Sequence, residues 1–541
     1  MSSRALACAA LLLTVSCSRV STGGTGRHDW TQAGILRIAV SNEPKNVNPL
    51  LASSEHDVFI DRLMFEPLVT ADPRGNALPM LAVAVPDLRN GGISRDGLTI
   101  VYHLRRDVRW TDGLAVTARD VKWSWQAIVN PNNNVISRHG YDIVRAIDTP
   151  DDHTVVVHLK ARFAPFVNTF FAESDQPYNI VPAHVLARYP NINQVQFNER
   201  PDVSDGPFRF DKWIHGDRID LRANPSFFKG KPRLDRILIS FVPDENTEIN
   251  LLRTHAVDFV EQPTINTYLA LKGIPGTRVL FVNVNGYDGL QLNLDRPALA
   301  DPSIRLAIAY ALDKRSLVKT LTFGQERAAL EDIPDWMWAY DPSVPARPYS
   351  IATAKRLLAR AGWRSGGDGI LRRNGQPLTL LLVCESDNAT HRKESLLIQD
   401  ALRSIGIEVE VKYYPSEMVY ATAGLGGILQ TGKFDIAPYP WYAGVDPDDS
   451  SQFLCAMRPP NGYNTSRYCN PEMEAAQSVA LTSYDPATRK GAYSHIQRLL
   501  ARDNPDIFFW YQRQQEAISV DFKNFAPNPV TESWNAWEWS I

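Results

Sequence analysis

The segment Ala437–Leu454 carries the strongest chemical signal in the sequence, which reads APYPWYAGVDPDDSSQFL at this point. The rings of Tyr439, Trp441 and Tyr442 stand close to three carboxylates, the first of which is Asp446. Aromatic faces enclose apolar groups, and carboxylates pair with cations. The prolines and carboxylates argue against a fully buried strand, and three such rings are unusual in a plain surface loop. We expect Trp441 and Tyr442 to be ligand-binding walls that Tyr439 supports.

Signatures of catalysis are missing from the sequence. It contains no GxSxG, HExxH or Walker motif, and GLGGIL at 424–429 has the wrong spacing for a dinucleotide fingerprint. Asp448 and Asp449 are adjacent, so they do not face one substrate as an acid and a base would. Without a CxxC pair or a Cys/His cluster, we expect no metal site and no cofactor. The sequence therefore predicts that the protein is not an enzyme.

Length and composition indicate a multidomain globular protein. At about 150 residues per domain, 541 residues predict two to four domains. The hydrophobic fraction of 44% and the charged fraction of 22% are ordinary for a globular chain. A net charge of −3 gives no reason to expect nucleic acid as a partner.

The N-terminus has the pattern of an export signal. Arg4 precedes the apolar run Ala5–Val15, which is shorter than the about 20 residues that a membrane-spanning helix needs. The run ends in TVSC, and its small residues before Cys17 are similar to a lipoprotein signal, although Thr14 stands where leucine is usual. We expect residues 1–17 to be a signal ending at an acylated Cys17, with ordinary cleavage nearby as the alternative. Residues 18–34 would then be a flexible tether.

Export would place the remaining cysteines where disulfides form. Cys455 and Cys469 flank the loop AMRPPNGYNTSRY, and we expect a disulfide between them. Closing a loop of roughly 15 residues is worth about 3 kcal/mol in the chain-entropy account of disulfides. Cys384 lies in the apolar strand pattern LTLLLVCES, which predicts a buried free thiol.

Strand and helix patterns alternate along the chain, which predicts a mixed α/β protein. Strands are predicted at 35–40, 98–105 and 153–160, where apolar residues recur and turn residues precede the later two. Helices are predicted to begin at the N-cap residues Thr117, Asp301, Ser350 and Asn470.

Several segments resemble, in order, the extracellular solute-binding proteins of family 5. The most specific is RWTDGLAVTARDVKW, with Trp110-x-Asp112-Gly113 followed by Thr117-Ala118-x-Asp120-Val121. SDGPFRFDKW, LQLNLDRPALADPSIRLAIAYALDK, AKRLLARAGW and YNTSRYCNPEME follow. The resemblance extends from about Ile35 to the C-terminus. Family members are receptors of ABC importers for dipeptides, oligopeptides and nickel.

The matching residues have mainly structural explanations. We expect Trp110 to be a core anchor, because aromatic side chains bury large areas. We expect Gly113 and Gly206 to be turn glycines with positive φ. The resemblance therefore identifies the fold better than it identifies the ligand.

The resemblance implies an α/β fold of two lobes, the periplasmic-binding-protein type II, cluster C, with an inserted subdomain and a hinge of two strands. Closure about the hinge would bury the ligand between the lobes. Lobe I would comprise 35–60, 203–285 and 515–541, the insert 61–202, and lobe II 286–514.

The chain departs from the peptide-binding members of this family at one position. By the resemblance, the segment after the FD strand should carry a Trp, a carboxylate for the peptide ammonium, and an Asp-Pro pair; an enclosed ammonium needs such an acceptor. Trp441 and Asp446-Pro447 match, but the carboxylate position falls on Ala443 or Gly444. Either Asp446 takes the role after a loop shift, or the ammonium is bound elsewhere or not at all, or the segment is structural.

Three further residues are weaker candidates for the cleft. Asn48 lies in the first loop of the family pattern, and Tyr287 lies just past the expected hinge. Gly206, in SDGPF, is a candidate for offering backbone groups to an extended peptide, as an added strand would use them. Ordinary packing is an equally good explanation for each.

The sequence therefore predicts an exported, lipid-anchored, monomeric substrate-binding protein of an ABC importer. It would capture di- or oligopeptides in the periplasmic space or at the outer face of the cell membrane, and deliver them to a permease and its ATPase. A non-peptide ligand, such as a glycoside, an opine-like compound or a metal chelate, is the first alternative. A hydrolase or an adhesion protein on the same fold is the second.

Overall fold

The computed structural model describes residues 27–541, so the signal segment, Cys17 and the first part of the tether lie outside the described residues. Within 27–541, no helix has the length and apolar character that crossing a membrane requires. The strands are β1 Ile35–Val40, β2 Val69–Ala71, β3 Ala77–Pro79, β4 Thr99–His103, β5 Val144–Asp151, β6 Thr154–Leu159, β7 Phe208–Ile214, β8 Arg218–Ala223, β9 Arg236–Phe241, β10 Phe259–Val260, β11 Thr277–Leu292, β12 Arg327–Ala328, β13 Arg364–Ser365, β14 Leu371–Arg373, β15 Gln376–Pro377, β16 Thr379–Glu385, β17 Glu408–Tyr414, β18 Ile436–Tyr442 and β19 Asp506–Ser519.

The α-helices alternate with these strands, as the sequence predicts. They are α1 Glu55–Arg62, α2 Ala118–Val129, α3 Phe166–Thr169, α4 Ala183–Leu186, α5 Glu245–Arg253, α6 Tyr268–Lys272, α7 Pro302–Ala311, α8 Lys314–Leu321, α9 Ile351–Arg360, α10 Ala389–Ser404, α11 Ser416–Val419, α12 Ser450–Phe453, α13 Pro471–Thr482 and α14 Pro486–Asp503.

The predicted helix starts are confirmed by side-chain caps. Thr117 and Asp120 form a reciprocal capping box at the start of α2. The side chains of Asp301, Ser350 and Asn470 accept hydrogen bonds from N–H groups in the first turns of α7, α9 and α13. Each cap satisfies a backbone donor that a helix leaves unpaired at its start, which is why these boundaries are readable from local sequence.

One large sheet runs through the described chain in the order β17-β16-β18-β11-β19-β10-β1-β9-β8-β7. Its centre is the antiparallel pair of β11 and β19, which runs from Thr277 opposite Ser519 to Gln291 opposite Asp506. Strands β16–β18 lie on the β11 side, and β1 and β7–β10 lie on the β19 side. The ladder between β11 and β19 is therefore the connection between the two halves of the sheet.

This ladder is interrupted near its middle. The register shifts between Asn283, opposite Arg513, and Tyr287, opposite Tyr511. Gly286 lies inside the interruption, and a Cβ on it would stand 2.4 Å from the carbonyl oxygen of Trp441. Irregularities of this kind bend a strand, so the long pair changes direction here.

The buried apolar side chains form two principal cores. The first core includes Leu36 and Ile38 of β1, Trp110 and the C-terminal Trp539, and it extends without a break through residues 61–202. The second core consists of residues that lie between Leu290 and Trp510 in the sequence. Trp110 is 1% exposed, as expected for a core anchor. The domain limits predicted from the sequence stay a prediction; residues 61–202 share the core of β1.

Residues Ile436–Tyr442 form strand β18, although their prolines argued against a buried strand. β18 pairs with β11 over its whole length, but it pairs with β16 only at Ile436. Pro438 and Pro440 are two residues apart, so their missing N–H groups fall on the same side of the strand. The two prolines are tolerated because, among the described residues, no strand pairs with that side of β18 beyond Ile436.

Residues between Gly97 and Asn168 also touch the second half of the chain. The Tyr484 hydroxyl donates to the carbonyl oxygens of Gly97 at 3.1 Å and Phe163 at 3.2 Å. The Ala164 N–H donates to the Leu481 carbonyl at 2.6 Å. Gly97 has φ +71°, and a Cβ there would stand 2.4 Å from the Tyr484 ring. Glycine is therefore required at 97 for the ring to pack against the backbone.

Replacing Tyr484 with alanine should loosen this contact. We expect the free energy of unfolding to fall by about 1–3 kcal/mol, because a packed ring and two hydrogen bonds are lost. We also expect a larger radius of gyration in small-angle X-ray scattering of the ligand-free protein. Tyr349→Ala is the control, since Tyr349 is 52% exposed. An equal free energy of unfolding and an equal radius of gyration in the two variants would show that the Tyr484 contact does not stabilise the ligand-free protein.

Candidate functional site

Two adjoining cavities lie beside the interruption of the β11–β19 ladder. The acidic cavity, of about 230 Å³, is lined by residues from α1, the loop at 174–177, Gln262, Val284, the end of β18, Gln514 and the C-terminal residues 529–532. The aromatic cavity, of about 350 Å³, is lined mainly by residues 136–137 and 420–465. Asp175, Gln176 and Tyr442 line both cavities. Chain-distant segments therefore meet at one place.

The acidic cavity is named for the carboxylates of Glu55, Asp175 and Glu532 in its wall. Among the described residues, neither this cavity nor the aromatic one is lined by a lysine, arginine or histidine. Glu55 Oε2 accepts a hydrogen bond from Gln514 Nε2 at 3.0 Å. Glu532 Oε1 accepts one from Gln262 Nε2 at 2.8 Å, while Glu532 Oε2 has no partner in residues 27–541. The wall therefore favours a ligand with a positive charge.

More carboxylates lie directly behind this wall. Glu261 Oε2 is 2.5 Å from His56 Nδ1, and Glu516 Oε2 accepts the Gln262 N–H at 3.1 Å. Burial lowers the pKa of His56, but the Glu261 carboxylate outweighs this and raises it to about 9. Burial and the nearby Glu261 raise the pKa of Glu532 to about 8. Among the described residues, the His56 imidazolium is thus the one positive charge beside several carboxylates of this cluster. Because the raised pKa of Glu532 means that it keeps a proton, a bound cation could replace that proton.

The aromatic cavity contains the rings that the sequence singled out. Trp441 stacks on Tyr439, with ring centroids 6.4 Å apart, and meets Tyr463 edge-on at 5.5 Å. Trp441 Nε1–H has no hydrogen-bond partner among residues 27–541. Tyr439 is 6% exposed and backs the wall, whereas Tyr442 is 42% exposed and borders both cavities. Trp441 and Tyr442 therefore form part of the cavity wall, with Tyr439 behind them, and their contact with a ligand stays a prediction.

The disulfide expected from the sequence belongs to this wall. Cys455 and Cys469 are bonded to each other. They close the loop that carries Tyr463 and Thr465, two residues of the aromatic cavity. Cys384 is free and buried, as predicted.

Asp446 does not face either cavity, which corrects the expectation that it takes a ligand ammonium. Its Oδ1 and Oδ2 accept hydrogen bonds from Arg489 Nη2 at 2.7 Å and Nη1 at 2.8 Å. The guanidinium of Arg489 also lies 5.3 Å from the ring of Trp338. A buried bidentate pair cannot give up its carboxylate cheaply, because the arginine would be left uncompensated.

The three weaker candidates are also structural, and the structure corrects each of them. Asn48 is fully buried and donates from Nδ2 to Asn198 Oδ1 at 2.9 Å. Tyr287 is 1% exposed, and its hydroxyl donates to a buried glutamine at 2.9 Å. Gly206 does not have a positive φ, unlike Gly113 with φ +93°, and its N–H donates to a main-chain carbonyl in the first core. Glycine is required at 206 for close backbone packing, since a Cβ would stand 2.4 Å from a carbonyl carbon.

Gly444, one of the two positions where the carboxylate is expected, has no room for a side chain. A Cβ there would come within 2.6 Å of the Glu173 carbonyl oxygen and the Ser174 Cα, so no side chain fits. The Val445 N–H donates to the Glu173 carbonyl at 2.9 Å, which holds the two segments together. This packing brings the next residue, Asp175, to the cavity wall that Ala443 also lines.

Glu55, Asp175 and Glu532 are the residues that reasoning from sequence missed. They come from three segments that are far apart in the chain, and none lies in a local motif. The resemblance placed residues 35–60 and 515–541 in the same lobe, which was the available signal for Glu55 and Glu532.

Comparisons with known proteins agree on one family. The sequence model of the bacterial extracellular solute-binding proteins, family 5 Middle, matches residues 46–464. Oligopeptide-binding protein AppA of Bacillus subtilis (strain 168) is 24% identical over 513 residues, covering 94% of this chain and 92% of AppA. Di/tripeptide-binding protein 2 of Pseudomonas aeruginosa (strain UCBPP-PA14) is 28% identical over 496 residues, covering 85% and 88%. The crystal structure of NikZ from Campylobacter jejuni in complex with Ni(L-His) superposes with a TM-score of 0.80 at 26% identity, covering 94% and 100%.

Glu532→Gln should flatten the dependence of stability on pH. The ordinary pKa of 4.5 applies to the unfolded chain, and the pKa in the folded protein is about 8. Between these values the folded state keeps a proton that the unfolded chain releases, so stability is present at low pH and falls as pH rises towards 8. One such group contributes a slope of about −1.4 kcal/mol per pH unit.

Chemical denaturation at four pH values between 5 and 8 measures this slope. The wild-type protein and the control Glu199→Gln, which changes an exposed carboxylate, should lose stability as pH rises. The Glu532→Gln variant should lose less. A slope equal to that of the control would contradict the elevated pKa of Glu532.

Proposed function

Because this chain belongs to the bacterial extracellular solute-binding proteins of family 5, we propose that it captures positively charged peptides for an ABC importer. Its fold is the two-lobe α/β fold of these proteins. Relatives named for oligopeptides and for di- and tripeptides support a peptide ligand. The observation that carries the proposal is the acidic cavity, with three carboxylates and no cationic side chain in its described wall.

The acidic cavity takes over the role of the carboxylate that is missing at 443–444. Asp175 lines the cavity together with Ala443, so it offers an acceptor near the position that the sequence pattern leaves empty. Glu55 and Glu532 supply further negative charge to the same cavity. A ligand ammonium or guanidinium bound here replaces the proton held by the cluster and gains charge-assisted hydrogen bonds.

The aromatic cavity holds an adjoining part of the peptide. Trp441, Tyr442 and Tyr463 present ring faces and edges to the aromatic cavity. Rings of this kind accept apolar and aromatic side chains without demanding one shape. The ligand is therefore a short peptide with a positive charge beside a large side chain.

Capture proceeds by closure around the interrupted ladder. Val284, inside the interruption, and Gln514, which pairs with Val282 just before it, line the acidic cavity, so bending there opens or closes the site. The contact of Tyr484 with Gly97 and Phe163 closes the outer edge. An acylated Cys17 would hold the protein at the outer face of the membrane, where it delivers the peptide to the permease and its ATPase.

The test is to identify what the protein binds. A soluble protein that begins at Ser18 is incubated with an equimolar tripeptide library, and bound peptides are read by native mass spectrometry. We expect enrichment of peptides that contain lysine or arginine and of free over N-acetylated termini. Enrichment of acidic peptides, or a bound metal chelate in place of any peptide, would overturn the proposal.

Asp175→Asn tests the assigned acceptor. We expect it to weaken binding of the best tripeptide about 10-fold or more in isothermal titration calorimetry, because the ligand cation loses its charged acceptor. Asp400→Asn is the matched control, since Asp400 lies on the exposed side of α10. Unchanged affinity for Asp175→Asn would assign the charge recognition to Glu55 and Glu532 alone.

A further inference from the structure

A second group of ionisable side chains lies between strand β11 and helix α10. None of its members lines either cavity. It consists of Asp288 in β11 and of His391 and Glu394 in α10. They are 5%, 3% and 0% exposed. One donor atom from each lies within 4.8 Å of the others. This convergence of two carboxylates and an imidazole has no part in the proposed peptide capture.

His391 is held from both of its ring nitrogens. Nδ1 lies 3.0 Å from both oxygens of Glu385, and the Tyr420 hydroxyl also donates to Glu385. Nε2 lies 2.9 Å from Asp288 Oδ2. A ring that donates Nδ1–H to Glu385 and carries a second proton donates Nε2–H to Asp288; without that proton, the Nε2 lone pair is free to bind a metal ion.

Glu394 is a buried carboxyl group without a hydrogen-bond partner in the part of the chain that the structure describes. Both of its carboxylate oxygens lack a hydrogen-bond partner among residues 27–541, and so does Asp288 Oδ1. Asp288, Glu385 and Glu394 therefore surround a single imidazole. The nearby guanidinium of Arg513 donates to the main-chain carbonyls of residues 281 and 325 and does not pair with them. An unpaired buried carboxylate is strongly unfavourable, so these carboxyl groups either keep a proton or give it up to a bound cation.

We propose that Asp288, His391 and Glu394 bind a divalent transition-metal ion, with Zn²⁺ the best match. One imidazole nitrogen and two carboxylate oxygens are donors that Zn²⁺ accepts, whereas Ca²⁺ and Mg²⁺ prefer oxygen donors alone. Zinc bonds of about 2.0 Å place tetrahedral donors about 3.3 Å apart, so the three side chains draw together on binding. Asp288 Oδ1 and Glu394 are free to do so.

Glu385 completes the arrangement as a positioning residue. Metal-bound histidines usually donate their second ring N–H to a carboxylate, which fixes the tautomer and the ring orientation. Glu385 occupies that place at Nδ1, and leaves Nε2 for the metal. The ion would join β11, the strand shared by both halves of the sheet, to α10 of the second half.

Zinc binding to the EDTA-treated, peptide-free protein tests the site. Equilibrium dialysis against ZnCl₂ with elemental analysis should find one Zn²⁺ per chain, and Tm should rise by several degrees because only the folded state holds the ion. X-ray absorption should show nitrogen and oxygen neighbours at about 2.0 Å, with the signature of one imidazole. No bound zinc, or a spectrum without imidazole, would overturn the proposal.

Glu394→Gln is the decisive variant, because it keeps the side-chain shape and removes the charge. We expect zinc affinity to fall at least about 10-fold, because an amide does not supply a carboxylate ligand, while the zinc-free variant remains folded because the side-chain shape is kept. Asp400→Asn, on the exposed side of the same helix, should bind zinc as the wild type does. Zinc binding that survives Glu394→Gln but is lost in Asp175→Asn would place the ion in the acidic cavity and refute the site.

Discussion

The ladder between β11 and β19 is the constraint on which the structure depends. It joins the two halves of one sheet, and hydrogen bonds between two long strands resist shear but allow bending where they are interrupted. The interruption at 283–287 lies beside both cavities, so the place that can bend adjoins the proposed binding site. The cavity walls come from both sides of this ladder, and motion about it changes their separation directly.

Charge is distributed unevenly around this ladder. The Asp446–Arg489 pair is complete and buried, so it stabilises the fold and offers nothing to a ligand. The cluster of Glu55, Glu261 and Glu532 has more carboxylates than cations, and it opens into a cavity. An acidic side chain is structural where an arginine pairs with it, as at Asp446, and available to a ligand where no such cation is present among the described residues, as at Glu532. Counting partners around a buried carboxylate is therefore more informative than locating it in a motif.

Sequence reasoning succeeded where the determinants are local. The caps at Thr117 and Asp301 lie within a few residues of the backbone groups they satisfy, and the core role of Trp110 follows from its size. It failed for Asp446 because the deciding partner, Arg489, lies 43 residues away. It missed Glu55, Asp175 and Glu532 because only the folded chain brings those segments together. The β18 prolines were misjudged since strand pairing on one side only cannot be read from composition.

The packing of Gly444 limits how this protein can change. A carboxylate at 444 would collide with the backbone of Glu173 and Ser174, so no single substitution there restores the pattern of the peptide-binding relatives. A side chain at 444 would require the 173–174 segment to move first, which would also displace Asp175. Gly444 and Asp175 are thus mechanically coupled, and of the two candidate positions only Ala443, which lines the same cavity, can change without disturbing that contact.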